Sequence, residues 1–399
     1  MKKVLLLGGA PSQIPSIKKT KELGYYAITC DYLQDNPGHK FADEYYNIST
    51  TDKEAVLELA KNLNIDGIVC YASDPAAPTA AYVAEKMGLP GHPYKSVEIL
   101  SNKDLFRKFL AENGFNTPKA KGYISLNDAQ NDIKFFKFPV MVKPVDSSGS
   151  KGITKITEVS ELETAFNYAL SFSRAKRVII EEYIEAEGCQ ITGDCLSNKG
   201  KFVFGAFANQ HYDKQVKNPF TPVGASWPYL GPKNIHQRIF DEIQKVLTKL
   251  HMQSGAYNVE VRIDKDQNIY LMEVGPRSGG NMMPQVIQYS TGVDMVEYVI
   301  KSAVGEDLDN IVQVEPNKFW AYYALHSTKD GIYDGLSFDK YFEKNNLVEL
   351  NLSMSPGDKI TSMTGSNGAI GIMILKFETK EEMFEKMDNM GKYVQVCVR

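Results

Sequence analysis

Tyr257-Asn-Val-Glu260-Val-Arg262-Ile-Asp264, a short polar turn, and Ile269-Tyr-Leu-Met-Glu273-Val-Gly275-Pro276-Arg277-Ser-Gly279-Gly280-Asn281 decide how this chain is read. Two apolar-alternating runs joined by Lys265-Asp266-Gln267-Asn268 form a β-hairpin pattern. Pairing Asp264 with Ile269 across the turn sets Glu260 directly opposite Glu273. The other face then gathers Val259, Val261 and Ile263 with Tyr270, Met272 and Val274, an apolar set that belongs in a core. Two carboxylates with Cβ atoms roughly 5 Å apart repel each other unless a cation sits between them. Oxygen-only ligands from two acids suit Mg²⁺, which completes its octahedron with water and substrate phosphates. Arg277, four residues past Glu273, is placed to touch the same phosphates. In a merely solvated hairpin the acids would alternate with lysines rather than oppose each other.

Upstream of the hairpin, Phe138-Pro139-Val140-Met141-Val142-Lys143-Pro144 is a strand whose lysine interrupts an apolar run, which marks a functional cation. Asp146-Ser147-Ser148-Gly149-Ser150-Lys151-Gly152-Ile153 follows, a loop of small residues whose N–H groups can cradle phosphates. It is not a Walker A loop, because GxxxxGK[ST] cannot be laid over it. A helix over 161–172 leads to Arg177-Val-Ile-Ile180-Glu181-Glu182-Tyr183-Ile184, an apolar strand that ends in acids. Further on come Asp194 in a strand-rich region and a loop-like stretch, His211 to Tyr229, whose aromatics and prolines suggest a substrate-facing loop. Helices over 235–250 and 293–304 flank the hairpin. Before all of these, Ser101-Asn102-Lys103-Asp104 opens an amphipathic helix that buries Leu105, Phe106, Phe109 and Leu110.

The first 95 residues alternate strands (4–7, 27–30, 65–70) with helices (15–23, 53–63, 78–87), the pattern of a parallel sheet with ligands near its strand C-termini. Gly8-Gly9-Ala10-Pro11 lies at such an end and Asp31 closes the second strand, which invites a dinucleotide reading. GxGxxG is absent, however, and a tight turn is the preferred reading. Ser73-Asp74-Pro75 reads as a helix cap rather than a contact. From about Asn317 the chain shows β-rich runs, a helix near 380–390 and the turn Pro356-Gly357-Asp358-Lys359-Ile360. Nothing in that part demands chemistry.

A chain of 399 residues exceeds one core and implies two to four domains. Its net charge of −4 gives no broad basic field, which argues against nucleic acid and anionic membrane as partners. The apolar run at the start is too short for a signal peptide, and no stretch approaches the ~20 apolar residues of a spanning helix. Five cysteines without CxxC or a metal spacing fit reduced thiols in the cytoplasm.

The order of these elements resembles the ATP-grasp superfamily across nearly the whole chain, in its phosphoribosylglycinamide synthetase-like and carbamoyl-phosphate synthase-like branches. The resemblance implies a mixed α/β and α+β architecture: a Rossmann-like pre-domain (1–113), a lid subdomain (114–185), a central catalytic subdomain (186–310) and a small C-terminal α+β domain (311–399). It implies that Lys103 and Lys143 contact ATP phosphates, with Lys143 also near the adenine. Ser147, Ser148, Gly149, Ser150 and Gly152 would close over the β- and γ-phosphates. Glu181 would accept from the adenine amino group beside Glu182, and the backbone of Tyr183 and Ile184 would hold the adenine edge. Glu260 and Glu273 would bind one or two Mg²⁺, with Mn²⁺ as an alternative. Arg277, with Lys143 and Asn281, would act in the chemistry.

Two positions depart from the family pattern. Gly275 stands where Glu-x-Asn-x-Arg would place an asparagine, so one metal ligand is missing, and water, Asn281 or a single-metal geometry would have to serve. Gln190 stands at the acidic ribose contact, with Glu187 as a substitute. The implied activity is ATP-dependent ligation of a small carboxylate to an amine through an acyl phosphate. The alternatives are a bicarbonate-phosphorylating carboxylase and a nucleotide-binding protein without turnover. Sheet edges at both ends of the chain are compatible with a homodimer.

Overall fold

The computed structural model describes residues 1–308 and 310–399. Strands Glu44–Tyr46, Tyr26–Cys30, Lys3–Leu7 and Gly67–Cys70 lie side by side in that order, all parallel. The strands at 3–7, 26–30 and 67–70 are short and mostly buried because helices cover the sheet, as parallel strands require, whereas the edge strand Glu44–Tyr46 is half-buried. Helix Lys53–Leu63 is capped by Asp52, whose carboxylate accepts from the Ala55 N–H, and it stops at Asn64 in a left-handed conformation. Helix Ala77–Met87 stops the same way at Gly88. These elements match the alternation read from the sequence.

Two short helices, Tyr94–Ser101 and Lys103–Glu112, carry the chain to an antiparallel sheet in the order Ala120–Tyr123, Val178–Glu182, Val140–Pro144, Thr154–Ile156. Helix Leu162–Phe172 packs Leu162, Ala165, Phe166 and Ala169 against it. This small unit holds the glycine-serine loop between its strands 140–144 and 154–156.

The largest sheet has eight strands, in the order 269–275, 255–263, 191–198, 201–212, 222–227, 319–325, 371–377 and 347–352. Helix Lys233–Lys249 lays Ile235, Ile239, Ile243, Val246 and Leu247 on one face of it, a spacing of three and four residues that makes a single stripe. The last three strands of this sheet come from beyond residue 317, so the C-terminal segment is hydrogen-bonded into the central sheet. A second, three-stranded sheet (359–360, 331–338, 394–398) hangs from its far end.

One expectation is corrected here. The stretch 211–229 is a loop over 213–221 but not throughout, because Pro222–Trp227 forms a strand paired with both neighbours. Trp227 is fully buried and donates its indole N–H to the Ala206 carbonyl at 3.1 Å. Trp227 therefore fills a core, whereas Tyr212 stays exposed and Phe220 and Tyr229 are half-buried. All five cysteines are free thiols. Among the described residues no helix is long and apolar enough to cross a membrane.

Candidate active site

The hairpin forms as Gly255–Ile263 and Ile269–Gly275, and Glu260 pairs directly with Glu273. The route to that register differs from the sequence reading. Ile263, not Asp264, pairs with Ile269, and an irregularity at Met272 adds the residue that restores Glu260 opposite Glu273. The core face consequently carries Ile269, Leu271 and Val274 beside Val259, Val261 and Ile263. Tyr270 and Met272 were expected there; Tyr270 pairs with Arg262 instead, and Met272 lines the cleft.

Arg262, Lys143 and Lys103 act on Glu260 of this acid pair. Lys103, at the first turn of its helix, donates to the Ser147 carbonyl at 3.0 Å and lies 3.6 Å from a Glu273 oxygen. Its own N–H bonds the Val145 carbonyl, which fixes the helix to the strand bearing Lys143. Lys143 is salt-bridged to Glu181 at 2.5 Å, and Arg107 Nε reaches the other oxygen of Glu181 at 2.9 Å. Burial drives the Lys143 ammonium below its usual range, and Glu181 works against that shift. Glu181 is 1% exposed. Burial alone would raise its carboxyl, yet Arg107 and Lys143 outweigh that and bring it to about 2. Arg107 escaped the sequence reading, although its spacing of four from Lys103 puts both on one helix face.

Arg277 turns its fork onto Asp74, with Nε to Oδ1 and Nη2 to Oδ2 both at 2.7 Å. Asp74 is therefore a contact, and no side chain of the turn caps the helix that follows, which corrects the expectation for Ser73-Asp74-Pro75. The glycine turn after Arg277 is held from beneath by Asp194, which accepts from the Gly279 N–H at 2.7 Å and from Asn258 Nδ2 at 2.9 Å. Burial raises the Asp194 carboxyl to about 6 despite these donors. Asn281 sits in a left-handed conformation beside Tyr322. Tyr322 belongs to a C-terminal strand, so that segment does reach the site. Asp74, Lys103, Ser147, Arg174 and Glu273 line one cleft of about 370 Å³.

Residues 100–281 match the family model described as an ATP-grasp domain. The chain is 25% identical over 402 residues to the formate-dependent phosphoribosylglycinamide formyltransferase of Prochlorococcus marinus (strain NATL2A), covering 99% of this chain and 98% of that one. Its structure superposes on the L-amino acid ligase of Bacillus licheniformis with a TM-score of 0.84 at 21% identity, over 100% and 99% of the two chains. It also superposes on the biotin carboxylase domain dimer of Hydrogenobacter thermophilus 2-oxoglutarate carboxylase, solved with MgADP and bicarbonate. There the TM-score is 0.77 at 20% identity, over 100% of this chain and 91% of that one. The architecture is that of the ATP-grasp ligases, as the sequence order implied.

Within this ATP-grasp frame, the glycine-serine loop is folded down onto two other segments. Ser150 Oγ donates to the Phe220 carbonyl at 3.0 Å, and Asn218 Nδ2 bridges the carbonyls of Ser150 at 2.8 Å and Thr364 at 3.1 Å. Ser366 N–H bonds the Gly149 carbonyl at 3.1 Å. Gly149 has φ +65°, and a Cβ there would sit 2.0 Å from Ser366 Oγ. Gly149→Ala is accordingly expected to lift the loop off Ser366. Limited trypsin cleavage after Lys151, followed by mass spectrometry, should run several-fold faster in the variant; an unchanged rate would mean that the loop does not use this seat.

The nucleotide-side residues divide into two groups. Tyr183 lies beneath Lys155 and beside Arg262, at 3.8 Å and 5.2 Å from its ring centre. Arg262 also donates to the Ile184 carbonyl at 2.8 Å. Gln190 sits between Arg262 and Glu260, accepting from Arg262 Nε at 2.7 Å and donating to Glu260 at 2.9 Å. Glu182 and Glu187 face elsewhere: Glu182 accepts from the Lys137 N–H and exposed Glu187 meets Gln267. Both Glu181 oxygens are engaged by Lys143 and Arg107. The Gly8–Gly9 turn is likewise occupied internally, since Gly9 N–H bonds Asp31 at 3.2 Å and Ala10 N–H bonds Gln13 at 2.7 Å. His211 is buried between Ser226 at 2.8 Å and Asp388 at 3.3 Å, and Ser226 is fully buried, so this set ties elements together and exposes no nucleophile.

ATP-grasp enzymes use ATP with a divalent metal, and two observations bear on whether these residues fit them. First, burial and the Glu273 charge raise the Glu260 carboxyl, an imbalance that a dication between the two acids would relieve. Among the described residues no third His, Cys, Asp or Glu joins them. An ion that keeps water and phosphate oxygens in its shell, as Mg²⁺ does, fits so sparse a set. Second, Arg107 Nη1 is a buried donor left unmet, on a guanidinium that shares Glu181 with Lys143, and a bound acceptor would satisfy it.

Proposed function

We propose that the chain is an ATP-dependent carboxylate–amine ligase. A substrate carboxylate oxygen attacks the γ-phosphorus of ATP, the bond to the β–γ bridging oxygen breaks, and ADP leaves. An amine then attacks the acyl phosphate, forms the C–N bond, loses a proton and releases phosphate. The observation that carries this reading is one cleft lined by Lys103 and Glu273, with Glu260 opposed to Glu273 across the hairpin and Arg277 held at the cleft's Asp74.

Such chemistry needs positioning and charge, not a nucleophilic side chain. Mg²⁺ held by Glu260 and Glu273 would offset phosphate charge, with Mn²⁺ tolerated in its place. Lys103 and the N–H groups of 147–152 hold phosphate oxygens, and Lys143, fixed by Glu181, presents a single ammonium orientation. Arg277 and Asn281 face the acyl side. Tyr183, Arg262 and Ile184 form the purine end. In this reading residues 1–113 shape the acceptor side, 114–185 the lid, 186–310 the catalytic sheet, and 311–399 back the acyl side. The setting is cytoplasmic, where ATP and Mg²⁺ are available, and the working form is a homodimer.

Phosphate release from Mg·ATP across amino acids, small carboxylates, amines and bicarbonate, with hydroxylamine as trap, tests the proposal. Release dependent on one carboxylate, with a hydroxamate product, is the expected result. Release with bicarbonate alone would make the enzyme a carboxylase type. Nucleotide binding without release for every member of the panel would favour a binder without turnover.

A further inference from the structure

Arg277 and Asp74 are 203 residues apart in sequence and meet through two parallel hydrogen bonds of 2.7 Å. The geometry is the one a guanidinium adopts with an incoming carboxylate or phosphate. Asp74 comes from the short turn after the fourth strand of the N-terminal sheet, and Arg277 from the end of the catalytic hairpin. The Arg277 side chain is 9% exposed, so its charge would be costly to leave unpaired. Lys103 lies close enough to act on the same carboxylate.

A second feature belongs to the same place. A Cβ at Gly275 would sit 3.3 Å from Asp74 Oδ1 and 3.6 Å from Arg277 Cζ. A larger side chain at 275 would extend into the pair. The missing side chain at 275 and the presence of Asp74 on Arg277 are therefore one arrangement: the glycine leaves the room that the Asp74 carboxylate occupies.

We propose that Asp74 is a built-in stand-in for the substrate anion, a positioning residue that occupies the Arg277 fork in the empty protein and must yield it when a phosphate or acyl phosphate arrives. This rests on the reading of Arg277 as the anion-binding residue of the proposed function. Because the two partners sit on different sheets, anion binding also releases a tie between the N-terminal unit and the hairpin. An anion competes with Asp74 for the fork, so the observed affinity is the intrinsic affinity reduced by the fraction of molecules in which Arg277 is free.

The test is a calorimetric titration of inorganic phosphate into protein saturated with Mg·ADP. Asp74→Asn is expected to bind phosphate about tenfold more tightly than the wild type, with ADP affinity unchanged. Adding Arg277→Met should abolish that gain. Gly275→Asn, which displaces Asp74 without removing its charge, should shift phosphate affinity in the same direction and serves if Asp74→Asn folds poorly. A merely structural ion pair gives the opposite sign, since breaking it would loosen Arg277 and weaken phosphate binding. Equal or weaker binding by the variants, no phosphate binding at all, or a gain that survives Arg277→Met overturns the proposal. Failure of Mg·ADP to bind would instead count against the ligase reading, and the same titrations without nucleotide would still decide the role of Asp74.

Discussion

Glu181→Gln is expected to loosen the small antiparallel sheet by about 3–5 kcal/mol, the scale of a broken buried ion pair. The reason lies in what surrounds the carboxylate. Lys143 and Arg107 both point at it, and these three side chains are 13%, 3% and 1% exposed for lysine, arginine and glutamate. Removing the negative charge leaves two cations facing each other in a dry interior. Because several sheets make up the chain, one global melting curve would blur the effect. Hydrogen exchange of strands 140–144 and 178–182 reads it locally, and faster exchange there with the central sheet unchanged is the expected pattern.

The pH dependence carries the same sign. The folded carboxyl lies at about 2, below the ordinary 4.5, so its contribution is complete above 4.5 and is lost as pH falls through about 2. The difference corresponds to about 3 kcal/mol. Protection of these strands should fall on acidification in the wild type and change little in Glu181→Gln. Replacing all three side chains by methionine should restore much of the protection, because the cost is the uncompensated charge rather than the loss of attraction. Protection as low in the triple variant as in the single one would contradict that explanation.

The parts legible in the sequence were those governed by short range. Alternation over a few residues gave the parallel sheet, the hairpin and the helices read over 53–63 and 235–250. The opposition of Glu260 and Glu273 was legible even though its assumed turn pairing was one residue off, because the irregularity at Met272 compensates. Such a bulge leaves no mark in a pattern of alternating apolar residues, and so the core face was assigned to Tyr270 and Met272 rather than Ile269 and Leu271. Tertiary pairing was not legible. Nothing near Asp74 announces a partner 203 residues away, and a Ser-Asp-Pro turn is a good cap on local grounds. The strand 222–227 was hidden by its flanking prolines and by a tryptophan that the core absorbs. The C-terminal contribution of Tyr322 and Ser366 was hidden for a related reason: both act through neighbours brought close only by the sheet order.

Glu273→Gln is expected to abolish the hydroxamate product, lowering turnover by about 10²–10³-fold, the effect of losing one charge-stabilising group at a reacting centre. The free protein should tolerate the change, since the wild-type hairpin sets two acids opposite each other. Burial first and the Glu273 charge second hold the Glu260 carboxyl above its usual range. A raised folded value means that stability is complete below 4.5 and is lost as pH rises through the folded value. Glu273→Gln removes part of the cause, so the decline of stability with rising pH should be shallower in the variant. Lys103, 3.6 Å from Glu273, loses a partner but keeps the Ser147 carbonyl. Thermal melts at pH 4.5 and 7.5, with Mg²⁺ and with EDTA, separate these effects. The wild type should gain stability from Mg²⁺ at pH 7.5 more than at pH 4.5, and the variant should gain little at either. A variant that still responds to Mg²⁺ like the wild type would remove Glu273 from the metal-binding pair, and one that is inactive but strongly destabilised would assign the residue to the hairpin rather than to the chemistry.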